Sequence, residues 1–178
     1  MSPNHATTAS HPAADGGFIE NVTFDEMHVG QSSTLVRTIT HDDILAFAAV
    51  SGDTNPAHLD EEYANASMFR GVIAHGMLGG ALISTVLGTQ LPGPGTIYMG
   101  QNLRFMRPVR VGDTLSVTLT VTSKDEAKKR VELDCQVLNQ RQEAVIAGSA
   151  LVLAPTEKVR RPRAALPQIH LEQAELVD

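Results

Sequence analysis

Val72-Ile73-Ala74-His75-Gly76-Met77-Leu78-Gly79-Gly80-Ala81-Leu82-Ile83-Ser84-Thr85-Val86-Leu87-Gly88 is the stretch on which the fold turns. No Asp, Glu, Lys or Arg occurs between Gly71 and Leu103. Apolar residues lie on every side of the helix this stretch predicts, so the helix is expected to be buried all round. It is too short and too interrupted to cross a bilayer, which takes about 20 mostly apolar residues. Gly76, Gly80, Ser84 and Gly88 recur at helical spacing and form a stripe without large side chains. Each glycine inside a helix costs roughly 1 kcal/mol relative to alanine. The stripe therefore serves either close packing on a sheet or a ligand lying in the groove, and both uses are compatible.

Working outward, the residues after the helix change period. Gln90 to Gly95 holds two prolines and two glycines and reads as a turn. A strand is expected from Tyr98 to Met106. Leu115, Val117, Leu119 and Val121 then alternate with polar residues, as do Val131, Leu133, Cys135 and Val137. Each pattern is a strand with one buried face. Ala144 to Leu153 is a nearly continuous apolar strand. Short loops between consecutive strands imply an antiparallel meander. One buried helix with one antiparallel sheet gives an α+β domain, the sheet curled round the helix.

Upstream, Ser33 to Thr38 reads as a strand. Thr40 and Asp43 make a capping box for a helix that runs to about Ser51 and stops at Gly52. Asp53-Thr54-Asn55-Pro56-Ala57-His58 reads as a loop, because Pro56 drives Asn55 out of the helical region. A short helix restarts at Asp60 to Ala64 with acids in its first turn. Residues 20–154 make one domain. Residues 1–19 are expected to be a disordered tail in which His5 and His11 are bystanders. Residues 155–178 are expected to be an extended, basic, Pro-containing tail outside the core.

Composition narrows the functional classes. A net charge of −6 with no basic face argues against nucleic acid as a partner. Aromatic residues at 4%, with no Trp, argue against base-stacking surfaces. Cys135 is the sole cysteine, so neither an internal disulfide nor a cysteine zinc cluster can form, and its place on an inward strand face makes it core. The polar N-terminus lacks the apolar segment of a signal peptide, and a cytoplasmic protein with no membrane association is expected.

The Asp53–His58 loop is the strongest candidate for chemistry. Its carboxylate and imidazole are five residues apart with a proline turn between them, and can converge on one water molecule or one proton. The competing reading makes Asp53 a turn cap and His58 a hydrogen-bonded loop histidine. His75-Gly76 opens the central helix. Its first amides have no internal partners, and Gly76 lets a carbonyl oxygen approach them, as in an oxyanion hole. Gly76 could equally clear room for packing. His75 reads as structural. Ser84 in isolation reads as a helix serine bonded back to a carbonyl, and no Gly-x-Ser-x-Gly surrounds it. Asp53, His58 and His75 could form a metal triad in principle, but no compact ligand motif is present, and no metal is expected. Phosphate-cradle fingerprints are absent from the sequence too.

Ser51 to Asp60, followed by Ile73-Ala74-His75-Gly76-Met77, resembles the signature of MaoC-like (R)-specific enoyl-CoA hydratases. Leu91 to Tyr98 and Gln101 to Val109 are similar to that family as well. The resemblance covers residues 20–154 and implies the hot-dog fold, an antiparallel sheet wrapped round a long helix. It implies that Asp53 and His58 are the catalytic pair that activates water for addition to a trans-2-enoyl thioester. It makes Gly76 the amide that polarises the thioester carbonyl and Ser84 an orienting group near the pair. Asn55, Gly80, Val86 and Leu87 are then expected to contact substrate, the acyl chain lying along the groove with Val86 and Leu87 as walls. Coenzyme A is part of the substrate, and no cofactor is implied. The family also implies a homodimer or an assembly of dimers. Pro155 to Pro167 resembles the linker of bifunctional enoyl-CoA hydratase/phosphate acetyltransferase proteins, although no phosphotransacylase domain lies in this sequence. Two rivals are an acyl-CoA thioesterase of the same fold and a non-catalytic acyl-CoA-binding module. Chain length, and coenzyme A against acyl carrier protein, stay open.

Overall fold

The computed structural model describes residues 17–170; residues 1–16 of the N-terminal segment expected to be disordered, and residues 171–178 of the expected extended C-terminal tail, lie outside the described residues. The element order is β1 (Phe18–Glu20), β2 (Ser32–Thr38), α1 (His41–Ser51), α2 (Pro56–Leu59), α3 (Glu61–Ala66), α4 (Gly76–Thr89), β3 (Ile97–Phe105), β4 (Thr114–Asp125), β5 (Arg130–Leu138), β6 (Ala144–Leu153) and β7 (Arg160–Pro162). Five strands form one antiparallel sheet in the order β2-β4-β5-β6-β3. α4 packs on this sheet against β2, β3 and β4. The alternating residues of β4 and β5 supply the inner face: Leu115, Val117, Leu119, Val121, Val131, Leu133, Cys135 and Val137 are all buried. Burial pushes the Cys135 thiol up to about 11, which leaves it a core residue rather than a nucleophile.

The helix caps follow local chemistry. Thr40 accepts from the Asp43 amide at 3.1 Å and Asp43 accepts from the Thr40 amide at 2.9 Å, closing the box that starts α1. Gly52 ends it in the left-handed region at φ 74°. The expected loop at Pro56 is instead a one-turn helix, α2, with Asn55 as its N-cap. Proline suits a first helical position, where its missing N–H leaves nothing unpaired.

One of two expectations about the central helix holds and the other needs correction. It begins at Gly76 with His75 as its N-cap, as the sequence indicates, and the residues before it are drawn into extended contacts: Ile73 N donates to Ala57 O at 3.2 Å and Ala74 N to Val109 O at 2.8 Å. It is, however, not buried all round. A single sheet covers one side, so Gly79, Gly80, Ile83, Val86 and Leu87 are buried, while Met77, Ala81, Ser84, Thr85 and Gly88 are exposed.

The tail after residue 154 is extended and exposed, but it is not loose. β7 pairs antiparallel with β1, Phe18 opposite Pro162 and Glu20 opposite Arg160. β1 also places ordered structure ahead of residue 20, where the domain was expected to begin. Asn21, only 1% exposed, holds this joint. Its side chain donates to Pro94 O and Glu157 O and accepts from Val159 N. Lys158 Nζ donates to Asn21 O at 2.7 Å and pairs with Glu26 at 2.9 Å and Glu20 at 3.1 Å.

Candidate active site

The left-handed turn at Gly52 sends the chain out of α1 and into the segment before α2. Asp53 follows, exposed, its Oδ1 accepting from Asn55 N at 3.1 Å. That turn and the Asn55 cap, whose Oδ1 accepts from Ala57 N at 3.0 Å, fix where α2 begins. α2 then carries His58 inward, where it is 9% exposed. His58 Nδ1 lies 2.8 Å from Ile73 O. A carbonyl oxygen can only accept, so Nδ1 carries the hydrogen and Nε2 of the neutral ring carries the lone pair. His75, the N-cap residue of α4, places its Nε2 3.0 Å from Asp53 O. Asp53, His58 and His75 each offer a ligand or proton-transfer atom within 4.8 Å of the others. Two ring nitrogens of this trio already face carbonyl oxygens, an arrangement suited to oriented imidazoles and proton transfer.

Beside the trio lies a cavity of about 400 Å³, within the range of small-molecule sites. His58, His75 and Gly76 stand on its wall with Ile39, Phe69, Leu78, Phe105, Leu115 and Ile146. Gly76 is the first residue of α4, and a β-carbon there would meet the Phe105 ring at 3.1 Å. His58, His75 and the helix start thus form a polar corner of an apolar chamber, and the exposed Asp53 carboxylate, not itself on the chamber wall, lies within 4.8 Å of the two imidazoles. Such a corner can bind a water molecule, exchange its proton and stabilise negative charge at the helix start.

Not every expected residue comes to this cavity. Asn55 is a cap with its side-chain oxygen already engaged. Gly80 is buried one turn further on, where an added β-carbon would meet Met77 Cε at 3.0 Å and Leu103 Cδ1 at 3.4 Å. Ser84 is exposed on the helix face turned away from the sheet. Val86 and Leu87, 0% and 1% exposed, belong to the core cluster under the sheet, not to the cavity lining. The reason is direction: the cavity leaves α4 after its first turn and runs towards Ile39, Leu115 and Ile146, instead of following the helix. Those three, with Phe69 and Phe105, went unnoticed in the sequence because nothing distinguishes a cavity-lining apolar residue from a core one. The contact of His75 with Asp53 spans 22 residues and has no local signal.

The family model described as MaoC like domain matches residues 25–141. The chain is 48% identical over 134 residues to the (R)-specific enoyl-CoA hydratase of Rhodospirillum rubrum, covering 74% of this chain and 91% of that one. It is 40% identical over 141 residues to the 3-hydroxybutyryl-CoA dehydratase of Methylorubrum extorquens, covering 79% and 89%. Among solved structures, R-hydratase PhaJ1 from Pseudomonas aeruginosa matches with a TM-score of 0.83 at 48% identity, covering 87% of this chain and 99% of that one. The (R)-hydratase of Aeromonas caviae involved in PHA biosynthesis matches with a TM-score of 0.71 at 40% identity, covering 72% and 98%. The sheet wrapped round α4 is accordingly the hot-dog fold. With a family match across more than half of its length and relatives this similar along most of their own, the chain belongs to the MaoC-like domain family.

Proposed function

We propose that this chain is an enoyl-CoA hydratase: it adds water reversibly to a trans-2-enoyl-CoA and forms the (R)-3-hydroxyacyl-CoA. The observation that carries the reading is the His58 tautomer. Its Nδ1–H is spent on Ile73 O, which leaves the Nε2 lone pair to take a proton on a residue that lines an apolar cavity and has the Asp53 carboxylate within 4.8 Å. Relatives described as (R)-specific enoyl-CoA hydratases support it.

In this reading Asp53 and His58 hold one water between them. Its oxygen bonds to C3 as the C2–C3 π pair moves towards the carbonyl. One water proton is taken up by the pair, and a proton is delivered to C2. The developing negative charge on the thioester oxygen is stabilised at the start of α4 by the Gly76 amide. Atoms balance with water as the sole addend, and the acyl chain occupies the chamber bounded by Ile39, Leu115 and Ile146. Coenzyme A enters as the handle of the substrate.

The reading includes a homodimer. β3 is an edge strand of the sheet. Ile97, Tyr98, Met99, Phe105 and Met106 along and beside it are exposed, and an open apolar edge invites pairing. A cytoplasmic location belongs to the same proposal; among the described residues no helix is long and apolar enough to cross a membrane.

The test is crotonyl-CoA hydration followed by loss of enoyl absorbance, with chiral analysis of the product and a thiol-trapping reagent in parallel. Formation of the (R)-alcohol without thiol release is expected. Thiol release at the rate of enoyl loss would make the protein a thioesterase, and binding without turnover would make it an acyl-CoA-binding module.

A further inference from the structure

His75 has no part in the steps above, yet it touches each piece of the site. Its Nε2 faces Asp53 O at 3.0 Å. Its ring lies over that of His58, centroids 3.9 Å apart and tilted by 32°. Phe47 packs on it as well, at 5.1 Å. In the chain it immediately precedes Gly76 and is the N-cap residue of α4, but its side chain makes no cap hydrogen bond. It is 3% exposed. Since Asp53 O can only accept, the hydrogen sits on Nε2 and the lone pair on Nδ1. That Nδ1 is sealed from solvent and is the buried side-chain polar atom without a hydrogen-bond partner among the described residues.

A histidine kept for stability would not strand a ring nitrogen in this way. A buried acceptor without a partner carries a desolvation cost. A phenylalanine would fill much the same space between Phe47 and His58 without that cost. Unpaired buried groups call for a reason other than packing.

We infer that His75 is a positioning residue. It holds the backbone under Asp53 and the ring plane of His58 in register with the first amide of α4. The inference rests on the hydratase reading and adds to it a residue that exchanges no proton with substrate. Two separate segments carry these groups, residues 53–59 the carboxylate and the imidazole and α4 the carbonyl-polarising amide, and His75 joins them. Through its Nε2–H it sets the distance from the group that handles water to the amide that receives the carbonyl oxygen. A displacement of about 1 Å in such a frame can cost on the order of a hundredfold in rate.

The experiment compares His75→Phe and His75→Gln with wild type in crotonyl-CoA kinetics and thermal melts. His75→Phe keeps a ring against His58 and Phe47 and removes the donor to Asp53 O. It is expected to melt at or above the wild-type temperature and to keep KM within about twofold. Its kcat should fall roughly 10- to 100-fold. His75→Gln restores an N–H donor and is expected to regain several-fold of that loss. A folded His75→Phe with wild-type kcat overturns the inference. So does a His75→Phe that fails to fold or melts well below wild type, because a structural role predicts stability loss and a positioning role does not. Equal kcat in the two variants would also count against it. Wild type without hydration activity would remove the functional reading itself, a result distinct from any of these.

Discussion

The δ-methyl carbon of Ile146 lies 2.3 Å from where a β-carbon on Gly79 would stand. Both residues line the cavity, so Gly79 is the notch that lets Ile146 lie back against α4. Gly79→Ala should push the Ile146 side chain into the chamber. Helix propensity gains roughly 1 kcal/mol, and overpacking costs about 1–3 kcal/mol, so the variant should fold with a small stability loss. Its preference should move towards short chains, by roughly 0.8 kcal/mol, or about fourfold, for each methylene no longer accommodated. The ratio of kcat/KM for trans-2-octenoyl-CoA to that for crotonyl-CoA checks this. An unchanged ratio in a folded variant would show that the acyl chain does not reach Ile146.

Asp53→Asn separates the two roles open to Asp53. The Asp53 side chain accepts from Asn55 N, and asparagine preserves that turn almost fully. If the carboxylate works on water with His58, Asp53→Asn should lose roughly 10²- to 10⁴-fold in kcat with little change in melting temperature. His58→Ala should lose a similar factor. The double variant should lose far less than the product of the two, since groups acting as a unit are not additive. Near-normal hydration by a folded Asp53→Asn would end the mechanism.

The Glu26–Lys158 pair ties β7 to the domain within a defined pH window. The Thr23 amide, and then the Lys158 ammonium, hold the Glu26 carboxyl below its usual range. Its contribution is present above the unfolded carboxylate value, about 4.3, and is lost as pH falls through the lower folded value. Lys158 is raised, first by its hydrogen bond to Glu26. Its contribution is present below the ordinary lysine value, about 10.4, and is lost as pH rises through the higher folded value. Both groups are solvent-exposed and screened, so the effect should be local. Exchange of the Val159 amide, which donates to Asn21 Oδ1, should be faster in Glu26→Gln than in wild type at pH 7. The difference should shrink as pH falls and the Glu26 carboxyl takes up its proton. Equal protection at pH 7 would mean that Asn21 alone holds the joint.

Light scattering at micromolar concentration should give a mass of two chains or a multiple of two. A single-chain mass would leave the apolar edge at Ile97, Tyr98 and Met99 without its expected partner.

What could be read in advance was local or periodic. The Thr40–Asp43 box, the Gly52 stop and the alternation along β4 and β5 depend on neighbours a few residues apart, and each formed as the spacing indicates. The nearness of His58 to Asp53 was legible for the same reason. Exposure of one side of α4 was not, because Ala81, Ser84 and Gly88 suit a buried face and a bare one equally. Helical spacing makes the small-residue stripe look like the ligand groove and Val86 and Leu87 its walls, but the cavity turns away before reaching them. The pairing of Phe18–Glu20 with Arg160–Pro162 joins three-residue segments from opposite ends of the chain. Neither segment carries a strand pattern long enough to notice.

That last pairing has a topological consequence. With Phe18 opposite Pro162, the domain's entrance and exit are adjacent, and the two-stranded ribbon works as a clasp. Shortening the chain from either side takes away the partner of the other, so a truncation at one end is felt at both. Conversely, a brief linker could join the two ends at little loop-closure cost. New ends could then be opened at an exposed turn such as the one between Asp125 and Arg130, making this domain a natural subject for circular permutation.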